Sequence, residues 1–179
     1  ISPSHLLLTK GLLPSSIKTA AVVGFPSGAH NPVVKSREAQ QACEHGANEI
    51  DMVVNLALVS SANWSAITDE VSAVRTAIPS GVILKVIIES ALWSDEQIIA
   101  VCSAAVQGGA DFVKTSTGFH KSGGASIAAV HLMRTTVGET IGVKASGGIR
   151  TYADAIAMID AGASRIGASA SRVILAEAQ

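Results

Sequence analysis

A recurring punctuation constrains this chain more than any other feature. "EHGANEID", "QGGADFVK" and "DAGASRIG" each close a helical pattern, pass through Gly-Ala and open an apolar strand. Units of strand, turn and helix follow one another at intervals of roughly 30 residues. Candidate strands cover 17–25, 49–55, 82–89, 111–117, 141–146 and 164–168. Most are near-continuous runs rich in Val and Ile, the pattern of strands covered on both faces. Helical patterns fit 33–45, 64–77, 95–107, 126–136, 152–161 and 169–177. Ser94 with Gln97 three residues on has capping-box spacing, and Gly108-Gly109 follows that helix. Thr151 and Gly162 bracket the helix near 152–161. Alternation of this kind builds a parallel sheet with helices outside it.

An open doubly wound sheet and a TIM (β/α)8 barrel both satisfy that order. A nucleotide-binding open sheet would show a Gly-rich turn after an early strand, and "GFPSGAH" at 24–30 is not one. The glycine loops fall instead after the last two strands, at Gly147-Gly148 and Gly167-Ala168-Ser169, where barrels bind phosphate. The expectation is therefore an α/β chain of the TIM-barrel class. Six strands are visible where a barrel has eight, and 179 residues fall short of the roughly 250 typical of the fold. Residues 1–179 are read as a single barrel domain, N-terminally incomplete, with two strands expected before Ile1. "ISPSHLLLTKGLL" reads as a strand end followed by a loop, with 1–4 as the tail of the second barrel strand.

Composition excludes several function classes. Hydrophobic residues make up 48% and charged residues 15%, with a formal net charge of −1, so neither nucleic acid nor an anionic membrane surface is an expected partner. Aromatic residues are 3%, too few for a base-stacking surface. No apolar run reaches the roughly 18–20 residues of a membrane span, and no signal-peptide pattern is visible. Cys43 and Cys102 lie in separate helical patterns and read as two buried thiols in a reducing, cytoplasmic compartment. His30, His45, His120 and His131 have no ligand spacing, so no metal site is expected.

"DFVKTSTGF" (111–119) carries Lys114 in the middle of a strand, and "GVKASGG" (142–148) carries Lys144 in the matching place. Strand side chains alternate. Phe112, Lys114 and Ser116 share one side, as do Gly142, Lys144 and Ser146. Asp51, Val53 and Asn55 share a side, and so do Lys85, Ile87 and Glu89. If those sides face inward, Asp51, Lys85, Lys114 and Lys144 converge near the C-terminal end of the barrel, where TIM-barrel sites are built. A single strand lysine is usually an edge residue with its head in water. Two at matching depth between apolar neighbours are costly to bury unpaired. A neighbouring cation and partial desolvation both favour a neutral amine in such a pair. A neutral amine can attack a carbonyl and form a Schiff base. The two strands are alike enough that position alone does not decide which lysine does so. Asp51 is the carboxylate within reach to move protons, or to pair with a lysine. "SGGIRT" and "GASAS" bring backbone N–H groups toward a phosphate.

With these residues in place, the chain resembles the deoxyribose-phosphate aldolase family of class I aldolases. The matching segments are "VVGFPSG", "EIDMVVN", "LKVIIE", "GADFVKTSTGF", "GVKASGGIRT" and "RIGAS". The resemblance implies reversible cleavage of 2-deoxy-D-ribose 5-phosphate to D-glyceraldehyde 3-phosphate and acetaldehyde, with no metal or organic cofactor. It implies Lys114 as the Schiff-base residue, Lys144 as its tuning neighbour and Asp51 as proton donor and acceptor. Gly118, Gly147, Gly148, Gly167 and Ser169 fall where the family binds phosphate. It also suggests a homodimer. The family's opening segments, with an acidic residue and the first two strands, are absent from this sequence, and its last helix ends early at "RVILAEAQ". Two other readings compete: another Schiff-base aldolase of phosphorylated sugars, and a truncated, inactive barrel acting only through association.

Overall fold

The computed structural model describes residues 1–9 and 11–179. Six strands, β1 (Ala20–Val23), β2 (Glu49–Val53), β3 (Ile83–Ile87), β4 (Phe112–Lys114), β5 (Gly142–Ser146) and β6 (Arg165–Gly167), alternate with helices. α1 (Leu6–Thr9) precedes β1, and α2 (Pro32–Glu44) follows it. α3 (Leu56–Ser60) and α4 (Trp64–Ala77) lie between β2 and β3. α5 (Asp95–Gln107), α6 (Ile127–Val137), α7 (Tyr152–Asp160) and α8 (Ser171–Glu177) follow the remaining strands in turn. The strands stand in sequence order in one sheet, and every neighbouring pair is parallel.

The helix starts follow from their caps. The Ser94 hydroxyl accepts from Gln97 N while the Gln97 side chain accepts from Ser94 N, completing the capping box. Thr151 and Asp154 make the same reciprocal pair at α7. Asn31 caps α2 ahead of Pro32, whose missing N–H costs nothing at a first turn. Two short helices, α1 and α3, fall where no helix was expected. Four or five residues are too few to show a 3.6-residue period, and residue 10 of the expected opening loop lies outside the described residues.

The sheet curls strongly. Flat parallel strands lie about 4.8 Å apart, so β2 and β6 would be about 19 Å from each other. That exceeds what an arginine and a glutamate can span together. Yet Arg165 Nη1 of β6 lies 2.8 Å from both Glu49 carboxylate oxygens of β2. Only a half-barrel closes that distance. At its β1 edge, Ile1 N donates to Ala20 O and Val22 N donates to Ile1 O, a single rung of parallel pairing. The strand tail expected over 1–4 is shorter than that, because Pro3–His5 turns into a 3-10 helix.

The two faces of the sheet differ more than the apolar runs suggested. Toward the helices, Ile50, Met52, Leu84, Val86, Val113 and Val143 are fully buried against α2, α4, α5 and α6. The concave face carries Glu49, Asp51, Lys85, Lys114 and Lys144 instead, so only one of the two buried faces is apolar. Trp64 and Trp93 pack against the apolar layer, and Trp93 Nε1 donates to Ile88 O. Cys102 is buried and its thiol is pushed up to about 12 by desolvation, whereas Cys43 is only half-buried, contrary to the expected pair of buried thiols.

Candidate active site

Asp51 is the hub of the concave face. The pairing register sets Asp51 beside Lys85 on β3 and Lys114 beside Lys144 on β5. Lys85 Nζ donates to Asp51 Oδ1 at 2.7 Å. Lys114 Nζ and Lys144 Nζ both donate to Asp51 Oδ2 at 2.8 Å. Burial works against charge on the Asp51 carboxyl, but the ammonium groups of Lys114, Lys144 and Lys85 outweigh it and hold the group far below the usual carboxylate range. Lys144 moves the other way for an amine. Desolvation, reinforced by the Lys114 and Lys85 cations, lowers it against the pull of Asp51. Lys114 and Lys144 are thus nearly equivalent in distance, and both stand at the base of a cavity of about 920 Å³. Lys85 is fully buried beneath Asp51 and does not line that cavity.

Glycine turns contribute part of the cavity wall. Gly118, Gly147, Gly148, Gly167 and Ser169 line it, together with Thr117, Phe119 and Arg150. Gly147 and Gly148 take φ of +87° and +85°, a region that excludes ordinary side chains. The loop leaving β4 rests on this turn: Ala125 N donates to Ser146 O and Gly147 O, and a Cβ on Gly124 would stand 2.2 Å from Gly147 O. Gly167 has a different reason to be glycine. A Cβ there would meet Ser146 Cβ at 2.9 Å and Lys144 Cε at 3.2 Å, so its bareness makes room for the lysine. Phe119 stacks edge-on against Phe25, with ring centroids 5.2 Å apart. Lys121 is exposed and does not line the cavity.

Four further residues were given no role from the sequence. Glu49 and Arg165 lie on the inward side by the same alternation as Asp51 and Lys144, and Lys85 Nζ reaches Glu49 Oε2 at 2.5 Å. Glu89, buried at the end of β3 with φ +54°, accepts from Thr117 Oγ1 at 2.6 Å and from Thr117 N. It pins the turn after Lys114 rather than joining Asp51. Thr115 stitches β4 to β5, its hydroxyl donating to Ser146 O and accepting from Ser146 N.

This arrangement of amines and carboxylate can be set beside known proteins. A family model for the DeoC/LacD aldolases matches residues 10–177. The chain belongs to the DeoC/LacD aldolase family. As a member of it, the chain is 55% identical over 175 residues to the deoxyribose-phosphate aldolase of Kocuria rhizophila, covering 98% of this chain and 79% of that one. It is 52% identical to the Corynebacterium diphtheriae enzyme of the same name, over 99% of this chain and 80% of the relative. A putative deoxyribose-phosphate aldolase from Coccidioides immitis superposes with a TM-score of 0.93 at 39% identity, covering 99% of this chain and 71% of that one. A tetrameric deoxyribose phosphate aldolase from Aeropyrum pernix gives 0.88 at 36% identity, over 98% and 74% of the two chains. The aldolase fold of these relatives is the fold of this DeoC/LacD member.

Proposed function

We propose that this chain is a deoxyribose-phosphate aldolase, a class I lyase cleaving 2-deoxy-D-ribose 5-phosphate reversibly to D-glyceraldehyde 3-phosphate and acetaldehyde. The observation that carries it is the meeting of two amines on one carboxylate oxygen at the floor of a glycine-walled cavity. The substrate is the one named for relatives at about half identity.

In the cleavage direction, the Lys114 amine, after giving up a proton, adds to the C1 aldehyde of the open-chain sugar. Loss of water from the carbinolamine gives the protonated imine. That imine accepts the electron pair of the C2–C3 bond as the C3 hydroxyl gives up its proton, releasing the phosphorylated aldehyde. The enamine left on Lys114 takes a proton at C2, and hydrolysis frees acetaldehyde. Asp51 and Lys144, already sharing a hydrogen bond, carry those protons. The N–H groups of the turn at Gly147-Gly148, with Gly118, Gly167 and Ser169, hold the phosphate. Lys85 fixes the back of Asp51.

Trapping tests the assignment. Acetaldehyde with sodium borohydride should leave a stable adduct on Lys114, located by peptide mass spectrometry. An adduct on Lys144 alone would reverse the two roles, and the partial burial that lowers Lys144 from its ordinary value favours that second reading. No adduct at all would reject the Schiff-base mechanism. Acetaldehyde among the products separates this activity from that of other sugar-phosphate aldolases.

The described sheet and helices form one domain in this proposal, part of a closed (β/α)8 barrel. The curl of the six strands and the greater length of the relatives support it. A homodimer is proposed for this chain. A light-scattering mass of two protomers supports it, and four would replace it with the tetramer described for the Aeropyrum pernix protein.

A further inference from the structure

The reaction outlined above uses Asp51, Lys114 and Lys144. It leaves unexplained a run of alternating charges beneath them. Arg165 Nη1 holds both oxygens of Glu49 at 2.8 Å. Glu49 Oε2 meets Lys85 Nζ at 2.5 Å, and Lys85 meets Asp51 Oδ1 at 2.7 Å. The run therefore ends on the oxygen of Asp51 that faces away from the two reacting amines.

This run is built into the floor of the half-barrel. The Arg165 guanidinium lies over the Phe112 ring, 4.9 Å from its centroid, in cation–π geometry. Phe112 has that place because its partner across β4 and β5 is Gly142, where a Cβ would fall 2.1 Å from the ring. Lys85 is fully buried, and a buried ammonium compensated by half a carboxylate would be costly. Glu49 supplies the missing compensation, and Arg165 balances Glu49. Without Glu49, Lys85 would draw on both oxygens of Asp51 and compete with Lys114 and Lys144 for Oδ2.

We infer that Glu49 and Arg165 are positioning residues: they clamp Lys85 on Oδ1 of Asp51, so that Oδ2 is presented to Lys114 and Lys144 together. The inference rests on the aldolase reading. Around the amine pair, the charged groups in direct contact are Asp51 of β2 and, through it, Lys85 of β3, with Glu49 of β2 and Arg165 of β6 next along the run and Glu89 at the rim. Substitution of Arg165 removes a positive charge from this set, and substitution of Glu49 removes a negative one.

The test follows the rate of the borohydride-trapped acetaldehyde adduct against pH in the full chain. Arg165→Gln should move the acid limb to higher pH and Glu49→Gln to lower pH, each by about half a unit or more. The double variant should return close to the wild-type limb. In sugar-phosphate cleavage, both single variants should lose kcat with little change in KM, because the phosphate-binding turn is untouched. A merely structural role would reduce the folded fraction and leave the limb where it is. If Glu49→Gln does not fold, Arg165→Gln and the double variant decide alone. A trapped adduct in the wild type with an unmoved limb in Arg165→Gln overturns the inference and leaves the aldolase reading intact. No adduct in the wild type overturns both.

Discussion

A single carboxylate, Asp51, gathers three ammonium groups on the concave face, and in the proposed reaction its substitution has two separable effects. Asp51→Asn leaves three buried or half-buried ammonium groups facing a neutral amide. Removing one partner from a buried charge cluster typically costs about 3–5 kcal/mol, so a urea titration should show that loss alongside the loss of turnover. Lys114→Ala removes one of three cations from one anion and should be far milder for stability while taking adduct formation below detection. Gly167→Ala probes a subtler point. Its new methyl would press on Lys144 Cε and Ser146 Cβ, so kcat should fall from a displaced amine as well as KM rising from a displaced turn. A pure phosphate-site defect would move KM alone.

At the level of elements, the register of the parallel sheet turns separate motifs into one site. Lys114 and Lys144 are paired rungs, and the turn after β5 supports the loop after β4. Gly124→Ala, remote in sequence from the proposed phosphate turn, should therefore raise KM severalfold through the Gly147 contact and leave borohydride trapping with acetaldehyde nearly unchanged. Ser94→Ala deletes one side of the α5 capping box and should cost about 1 kcal/mol in thermal or chemical unfolding with kcat intact. Much of this level was legible in the chain. The strands containing Lys114 and Lys144 announced themselves by an interior lysine among apolar neighbours, and the caps of α5 and α7 by their spacing. Less visible was anything depending on distance across the half-barrel. Glu49 opens its strand after "GAN" and looks like a solvated end, while Arg165 stands near the start of its own strand and looks equally solvated. The same alternation that pointed Asp51 inward points both of them inward, but only the curl brings them together. Glu89 was legible as inward-facing, yet its left-handed backbone, which turns it to Thr117, leaves no trace in a sequence pattern.

For the molecule as a whole, two buried charge systems sit on opposite sides of the sheet. On the helix side, Lys35 Nζ donates to Glu70 Oε1 at 2.6 Å and to Val53 O, and Glu70 Oε2 accepts from Asn55 N, with both side chains fully buried. Desolvation outweighs Glu70 and lowers Lys35. Lys35→Met strands the glutamate and should cost about 3–5 kcal/mol, whereas the double change Lys35→Met with Glu70→Leu should recover most of it. The concave side governs acid sensitivity. Asp51 and Glu49 both titrate lower folded than unfolded, because their ammonium and guanidinium partners outweigh burial. Their contribution to stability is complete above the ordinary carboxylate range near pH 4 and is lost as pH falls toward the folded values. Unfolding free energies measured downward from pH 5 should drop steeply, and Glu49→Gln should flatten that slope. The opposite characters of the two sheet faces carry one more consequence. Cohesion resides in the outer apolar layer, which substrate never touches, while the concave face spends stability to hold charge. Lining that concavity with well-packed hydrocarbon should give a protein that melts higher and catalyses nothing. Laboratory selection for heat resistance alone would then erode the enzyme from the inside out.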